Sequence, residues 1–215
     1  MYMKNWTLFF ALIFGVFNVS IGQEISLDDL MGDINSEEVE PAYLPEKMLF
    51  TQRMLWGENG LYRKVGFAPK ELTAESRQRE LKARRTMFKI HQATGFLAAA
   101  GMIGQAILGP KLYKDGTNFD VRKAHKGVAL GTNIAYGTTA LMALASPPPM
   151  VNRKKFDNIK LHKLMAITHF TGMIATNILA QKASAGKVDK KWHRAAAVGT
   201  FVVYTASIVT IKLEF

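Results

Sequence analysis

The chain of 215 residues contains no cysteine. That excludes disulfides, cysteine-ligated zinc, iron–sulfur clusters and thioether-attached haem, so any metal chemistry must rest on His, Met, Tyr or carboxylates. Charge is absent from four long stretches, 90–109, 127–146, 164–181 and 195–211, each of 17 to 20 residues. A soluble helix would turn a charged residue outward every three or four positions. These stretches therefore read as membrane spans, near the lower edge of what crosses a bilayer as a helix. Residues 23–46 lack Lys and Arg altogether while carrying eight acidic residues. Such a composition is that of an acidic flexible tail over 23–45, with a docking surface for a cationic partner as the other reading. No Gly-rich phosphate loop, nucleophile elbow or carboxylate pair is evident, which leaves little support for hydrolase or nucleotide chemistry.

Basic charge is plentiful elsewhere, 28 Lys and Arg against 17 Asp and Glu, for a net charge of +11. It sits in clusters that bracket the apolar stretches. That is the juxtamembrane pattern of a protein among lipids, not the stripe of a nucleic-acid binder. The N-terminus, MYMKNWTLFFALIFGVFNVSIGQE, combines one lysine, a short apolar run and small residues before Gln23. It predicts a secretory signal over 1–22, an uncleaved first membrane helix being the alternative. A cleaved signal would leave the N-terminal segment on the extracytoplasmic side of an integral membrane protein. Charge alone does not fix the orientation, because the basic residues flanking the spans divide almost evenly. Residues 46–85 read as amphipathic and basic helices outside the membrane. A short helix with a Gly-rich break at 57–60 would lie at the interface or cap the bundle, and a basic helix capped by Thr73 would run into the first span. The connections GPKLYKDGTNFDVRK, SPPPMVNRKKFDNIK and KASAGKVDKK are short. Residues 86–215 are thus expected to form an all-α, up-down four-helix membrane bundle.

Within the bundle a repeat emerges. RKAHKGVALGTNIAY at 122–136 and KKWHRAAAVGTFVVY at 190–204 share His-x5-Gly-Thr-x3-Tyr. The first and third spans share His-x9-Gly-Met-Ile, from His91 and from His162. Offsets of 71 and 68 residues between the halves describe a duplicated two-helix unit, related by a pseudo-two-fold axis along the membrane normal. Four of the five histidines stand in the first turn of a span, and alternating direction puts His91 and His162 near one face, His125 and His193 near the other. Each has a small residue one turn deeper on its own face, Gly95, Ala129, Ala166 and Ala197, which suits a flat macrocycle and equally suits close helix packing. No carboxylate is available in the spans to partner an imidazole. Two non-covalent haems b held axially by His91/His162 and His125/His193 resolve this, since helical bundles hold such cofactors from facing helices. Histidines reaching to the interface, a proton relay or another metal are the competing readings. Tyr136 and Tyr204 are candidates to lie against or near a haem, core packing being the alternative. Met102 and Met173 read as core filler, and His169 in mid-span as a hydrogen-bonding partner of a Thr or Asn. Lys123, Lys126, Lys190, Lys191 and Arg194 on one side, with Lys89 and Lys163 on the other, suit haem propionates, an anionic substrate or lipid phosphate.

With one histidine per successive helix at spacings of 34, 37 and 31, residues 86–212 resemble the four-helix core of the cytochrome b561 family of transmembrane electron carriers. The resemblance implies that the first histidine pairs with the third and the second with the fourth, and that single electrons pass through two haems. Donor and acceptor stay open among a quinol, a small reductant and a redox protein. Two other functions fit the same residues: a haem-free membrane anchor or assembly subunit, and a quinol-oxidising cytochrome b subunit of a larger complex.

Overall fold

The Thr73 side chain accepts from the backbone N–H of Ser76 while the Ser76 hydroxyl accepts from the N–H of Thr73, a reciprocal cap that starts a helix where the sequence predicts one. In the computed structural model, which describes residues 43–150 and 155–211, that helix runs from Ala74 to Lys114. The expected signal and all but the last three residues of the acidic tail lie outside the described residues. Six helices succeed one another: α1 (Phe50–Trp56), α2 (Leu61–Lys64), α3 (Ala74–Lys114), α4 (Phe119–Leu144), α5 (Asn158–Ser184) and α6 (Lys190–Thr210), with no strand among the described residues. Asn118, Asp157 and Asp189 cap the last three with side-chain oxygens.

One expected connection is largely helical. The sequence makes GPKLYKDGTNFDVRK the link between the first two spans, but α3 continues through Pro110 to Lys114 and α4 begins at Phe119. A proline inside a helix removes a single N–H, and the ladder resumes beyond it, the Asp115 N–H reaching Lys111 O at 2.9 Å. The true turn is 115–118.

Helices α3 and α4 pack along one another, as do α5 and α6, while close backbone approach between the two hairpins falls chiefly on α3 against α6. The tightness within each hairpin comes from a glycine and a threonine. A methyl group on Gly101 would overlap Thr132 Oγ1, and one on Gly172 would overlap Thr200 Oγ1. These are repeat mates, so the same contact is made twice. Gly131 and Gly199, the glycines of the shared Gly-Thr motif, meet nothing within 4 Å. Of that motif, only the threonine does the packing.

The interior is small and polar. Ala98, Ala99, Met102, Ala135, Tyr136, Met173 and Tyr204 form the core, joined by buried Thr132, Thr139, Thr200, Ser207 and His169. Large aliphatic side chains point outward instead: Leu97, Leu130, Ile134 and Ile167 are each more than 60% exposed. By length and composition α3 is the one helix among the described residues long and apolar enough to cross a membrane, with a mean hydropathy of 1.3 in a stretch of which 22% is buried. The sequence reading expected four such helices. The other three fall below that apolarity.

Ahead of α3, the α1–α2 segment closes one end of the first hairpin. The Trp56 indole donates to Ala145 O at 2.8 Å. Arg63 donates to the carbonyls of Gly57, Trp56 and Pro69 and lies 2.6 Å from Glu80 Oε1. Glu80 also pairs with Arg77, which donates to Pro148 O, and all three charged side chains are buried. Arg84 reaches Ser146 Oγ and Pro147 O. Burial, together with the like charge of Arg77, pulls its guanidinium down to about 10, so it remains charged at neutral pH. Of the two expectations for this segment, interfacial or capping, the hydrogen bonds make it a cap.

Gly101→Ala should lower stability by about 1–3 kcal/mol, the usual cost of overpacking, while Gly131→Ala leaves it unchanged or slightly raised. Thermal unfolding of the two purified variants side by side checks this; equal losses would refute the Gly101–Thr132 contact.

Candidate functional site

Histidines from the two hairpins meet in pairs. The rings of His91 (α3) and His162 (α5) are 6.3 Å apart between centroids with an interplanar angle of 76°, and those of His125 (α4) and His193 (α6) are 6.5 Å apart at 85°. Each pair therefore takes one member from each hairpin.

The ring nitrogens are oriented from behind. His91 Nδ1 lies 2.9 Å from Thr139 O, His162 Nδ1 2.9 Å from Ser207 O, and His193 Nδ1 3.1 Å from Thr176 O. A carbonyl only accepts, so in these three rings the proton is on Nδ1 and the Nε2 lone pair is left for another partner. Thr139 and Ser207 are repeat mates, which makes the first pair symmetrical down to its supporting bonds. The second pair departs from this symmetry. His125 Nδ1 is buried without a hydrogen-bond partner among the described residues. The mate of Thr176 is Gln105, whose side-chain amide donates to the His125 carbonyl at 2.9 Å.

Between the two pairs lies a cluster of three rings. Tyr136 and His169 are joined through the hydroxyl and Nδ1 at 2.7 Å, and Tyr204 packs on His169 with centroids 4.9 Å apart at 74°. The Tyr204 hydroxyl donates to Gly95 O at 2.8 Å. The expected partner of His169, a Thr or Asn, is corrected to Tyr136, whose longer side chain crosses from α4 to α5. Tyr136 and Tyr204 are both buried in the core, within one continuous cluster that also holds Met102 and Met173, the two methionines read as filler.

A second crossing between the hairpins escaped the sequence reading. Asn133 and Asn177 exchange amide hydrogen bonds at 3.1 and 2.9 Å, and each amide nitrogen also donates to a carbonyl one turn back, Ala129 O and Met173 O. The signal was present: two asparagines inside uncharged runs need partners, because an unpaired buried amide costs several kcal/mol, about 2–7 by common reference states. The Arg63–Glu80–Arg77 cap was missed as well, since Arg77 reads in sequence as one of a row of surface cations.

Lys123, Lys126, Lys190, Lys191 and Arg194 are exposed at the His125/His193 end, as are Lys89 and Lys163 at the other. Arg194 lies over the Tyr113 ring at 5.3 Å, and Lys191 stands 3.4 Å from Asp189. Hydrogen bonds from Thr117 to the exposed Asp115, and from the backbone and side chain of Lys191 to Asp189, hold both carboxyls below the ordinary carboxylate range. No group of three or more His, Cys, Asp or Glu able to hold a metal ion gathers among the described residues. The facing imidazoles are the side chains through which this protein could hold one.

No family model, curated protein or solved structure matches the chain.

A double-mutant cycle on Asn133→Ala and Asn177→Ala should return a coupling of roughly 1 kcal/mol, the usual net worth of an intramolecular hydrogen bond. Additive losses in unfolding measurements would mean that the two hairpins are not bridged there.

Proposed function

We propose that the four long helices form an integral membrane bundle that carries single electrons through two non-covalent haems b, axially held by His91/His162 and His125/His193. The separation of the imidazoles carries this reading. Two rings joined by a direct N–H···N bond of about 2.9 Å would have centres roughly 5.1 Å apart. Two rings ligating one iron, with metal–nitrogen bonds of about 2.0 Å and about 1.1 Å more from Nε2 to each ring centre, would have centres roughly 6.2 Å apart. The distances of 6.3 and 6.5 Å match the second case in both pairs. The orienting bonds to Thr139 O, Ser207 O and Thr176 O add to it, because a ligating histidine normally donates its other N–H to such a group. A pair of axial ligands is also all that a haem asks of a protein, so the lack of larger ligand clusters among the described residues is no obstacle.

When bound, the iron supplies the one-electron chemistry. The chain holds and orients the axial rings, keeps water away with an interior of Ala, Met and Tyr side chains, and offers cations at both ends for propionates or lipid phosphate. The burial pattern favours the membrane. Leu97, Leu130, Ile134 and Ile167 are exposed while Thr132, Thr139, Thr200, Ser207 and His169 are buried, the reverse of a soluble bundle and the arrangement that lipid favours. On this reading lipids are the permanent partners. A cleaved signal at the N-terminus would put the segment before α3 on the extracytoplasmic side, and the electron donor and acceptor are to be sought among quinols, small reductants and redox proteins.

Purified protein reduced with dithionite should show a sharp α-band, and its pyridine haemochromogen should give two haems per chain. His125→Ala should lose about half the haem and keep the His91/His162 site filled. A chain without an α-band sinks the haem reading and leaves a haem-free membrane anchor, and a variant retaining both haems refutes the pairing.

A further inference from the structure

Repeat symmetry makes departures from it conspicuous, and the deepest one is His169. Its mate in the first hairpin is Ala98, which is fully buried at 0% exposure, so the same level of the core holds a methyl group on α3 and an imidazole on α5. His169 stands seven residues beyond His162, two turns along the same face and about 10 Å along the axis. It packs on Tyr204, three residues before Ser207, whose carbonyl holds His162. The equivalent positions beside the other pair are Thr132 and Thr200, one on each hairpin. Both hydroxyls are spent on their own helices, at 2.7 Å to Val128 O and 2.8 Å to Ala196 O. At this level of the core the His125/His193 site has matched neighbours, and the His91/His162 site does not.

We propose that His169, held in place by Tyr136, is a positioning residue that makes the His91/His162 site electronically distinct from the His125/His193 site, so that an electron rests at different potentials at the two ends of the bundle. This rests on the two-haem reading. Imidazole carries a large dipole, and a methyl group carries almost none. In a low-dielectric interior a fixed dipole beside a redox centre acts with little screening, and hydrogen bonding and local polarity are among the levers by which a protein sets a haem potential. Fixing is what the structure supplies. The Tyr136 hydroxyl anchors Nδ1 at 2.7 Å, and the Tyr204 ring closes the side of the imidazole. His169 thus acts without touching the iron.

Redox titration of the full-length protein, monitored at the α-band, tests this. His169→Ala should shift the midpoint potential of one of the two components and leave the other in place. Tyr136→Phe, which keeps the ring and frees the imidazole, should shift the same component in the same direction by less. Repeating both changes in a His125→Ala chain assigns the component, because that chain keeps only the His91/His162 site. Equal shifts of both components, or no shift from either variant, would overturn the proposal. Should His169→Ala fail to fold, His169→Gln with Tyr136→Phe carries the same comparison. Loss of the two-haem reading is separately visible, as an absent α-band in the unaltered protein.

Discussion

A glycine backbone pressed against a threonine, once at Gly101–Thr132 and again at Gly172–Thr200, is the contact on which the rest of the structure depends. With an interior of small side chains, the two helices of a hairpin gain contact mainly by close approach. A missing Cβ is what allows the backbones of one hairpin to approach. Once each hairpin is clamped, the azimuth of every other residue on it is set. The histidines turn toward the opposite hairpin, the tyrosines into the centre and the leucines outward. The space between hairpins is then bridged mainly by side chains: the imidazole pairs, the Asn133–Asn177 exchange, Tyr136 with His169, and Tyr204 with the Gly95 carbonyl.

Polar groups serve two different purposes in this fold. Inside the bundle, Thr132, Thr139, Thr176, Thr200 and Thr210 each return a hydroxyl hydrogen bond to a carbonyl one turn back. They add inner-face volume smaller than leucine without leaving a donor unsatisfied. At the end of the first hairpin the polar groups are ionic and cross-chain. Burying Arg63, Arg77 and Glu80 together costs desolvation, several kcal/mol for each ion, which the attraction among them repays only with good geometry. What that cost secures is position. Arg77 and Arg84 grip the carbonyls of the Pro147–Pro148 stretch, so the chain leaving α4 is pinned to the start of α3.

Much of this was legible in the residues. Absence of charge located the long helices, Thr73 announced the start of α3, and the repeat foretold which histidines would face each other, since alternating helices leave little geometric choice. The missing pieces share a physical cause. Helix continuation through Pro110 depends on the helix-forming residues beyond it, Lys111 to Lys114, whereas the charges and turn residues of the segment mark it in sequence as a connection. The role of Gly101 rather than Gly131 depends on which helix face is inward at that level, and two adjacent small residues do not reveal it. Arg77 and Glu80 look like an ordinary surface pair until the α1–α2 segment is folded over them. His169 was read as bonding to the commonest polar residues of the spans, and it took the side chain of Tyr136, one helix away, because that hydroxyl reaches across the seam.

Each hairpin carries two of the four paired histidines and completes neither pair. Cut at the linker between α4 and α5, the protein would fall into two half-sites at each end. A single hairpin of this kind gains a closed pair only by meeting another copy side by side, and such a meeting closes both pairs at once. The chain therefore has the architecture of a homodimer of hairpins fused into one polypeptide, and fusion is what freed the halves to diverge. An identical pair of hairpins could not place a histidine at one of two equivalent buried positions and an alanine at the other, nor tie only one of its ends shut with a cap. The covalent link after Ala145 thus confers more than stability: it lets a two-fold object acquire direction.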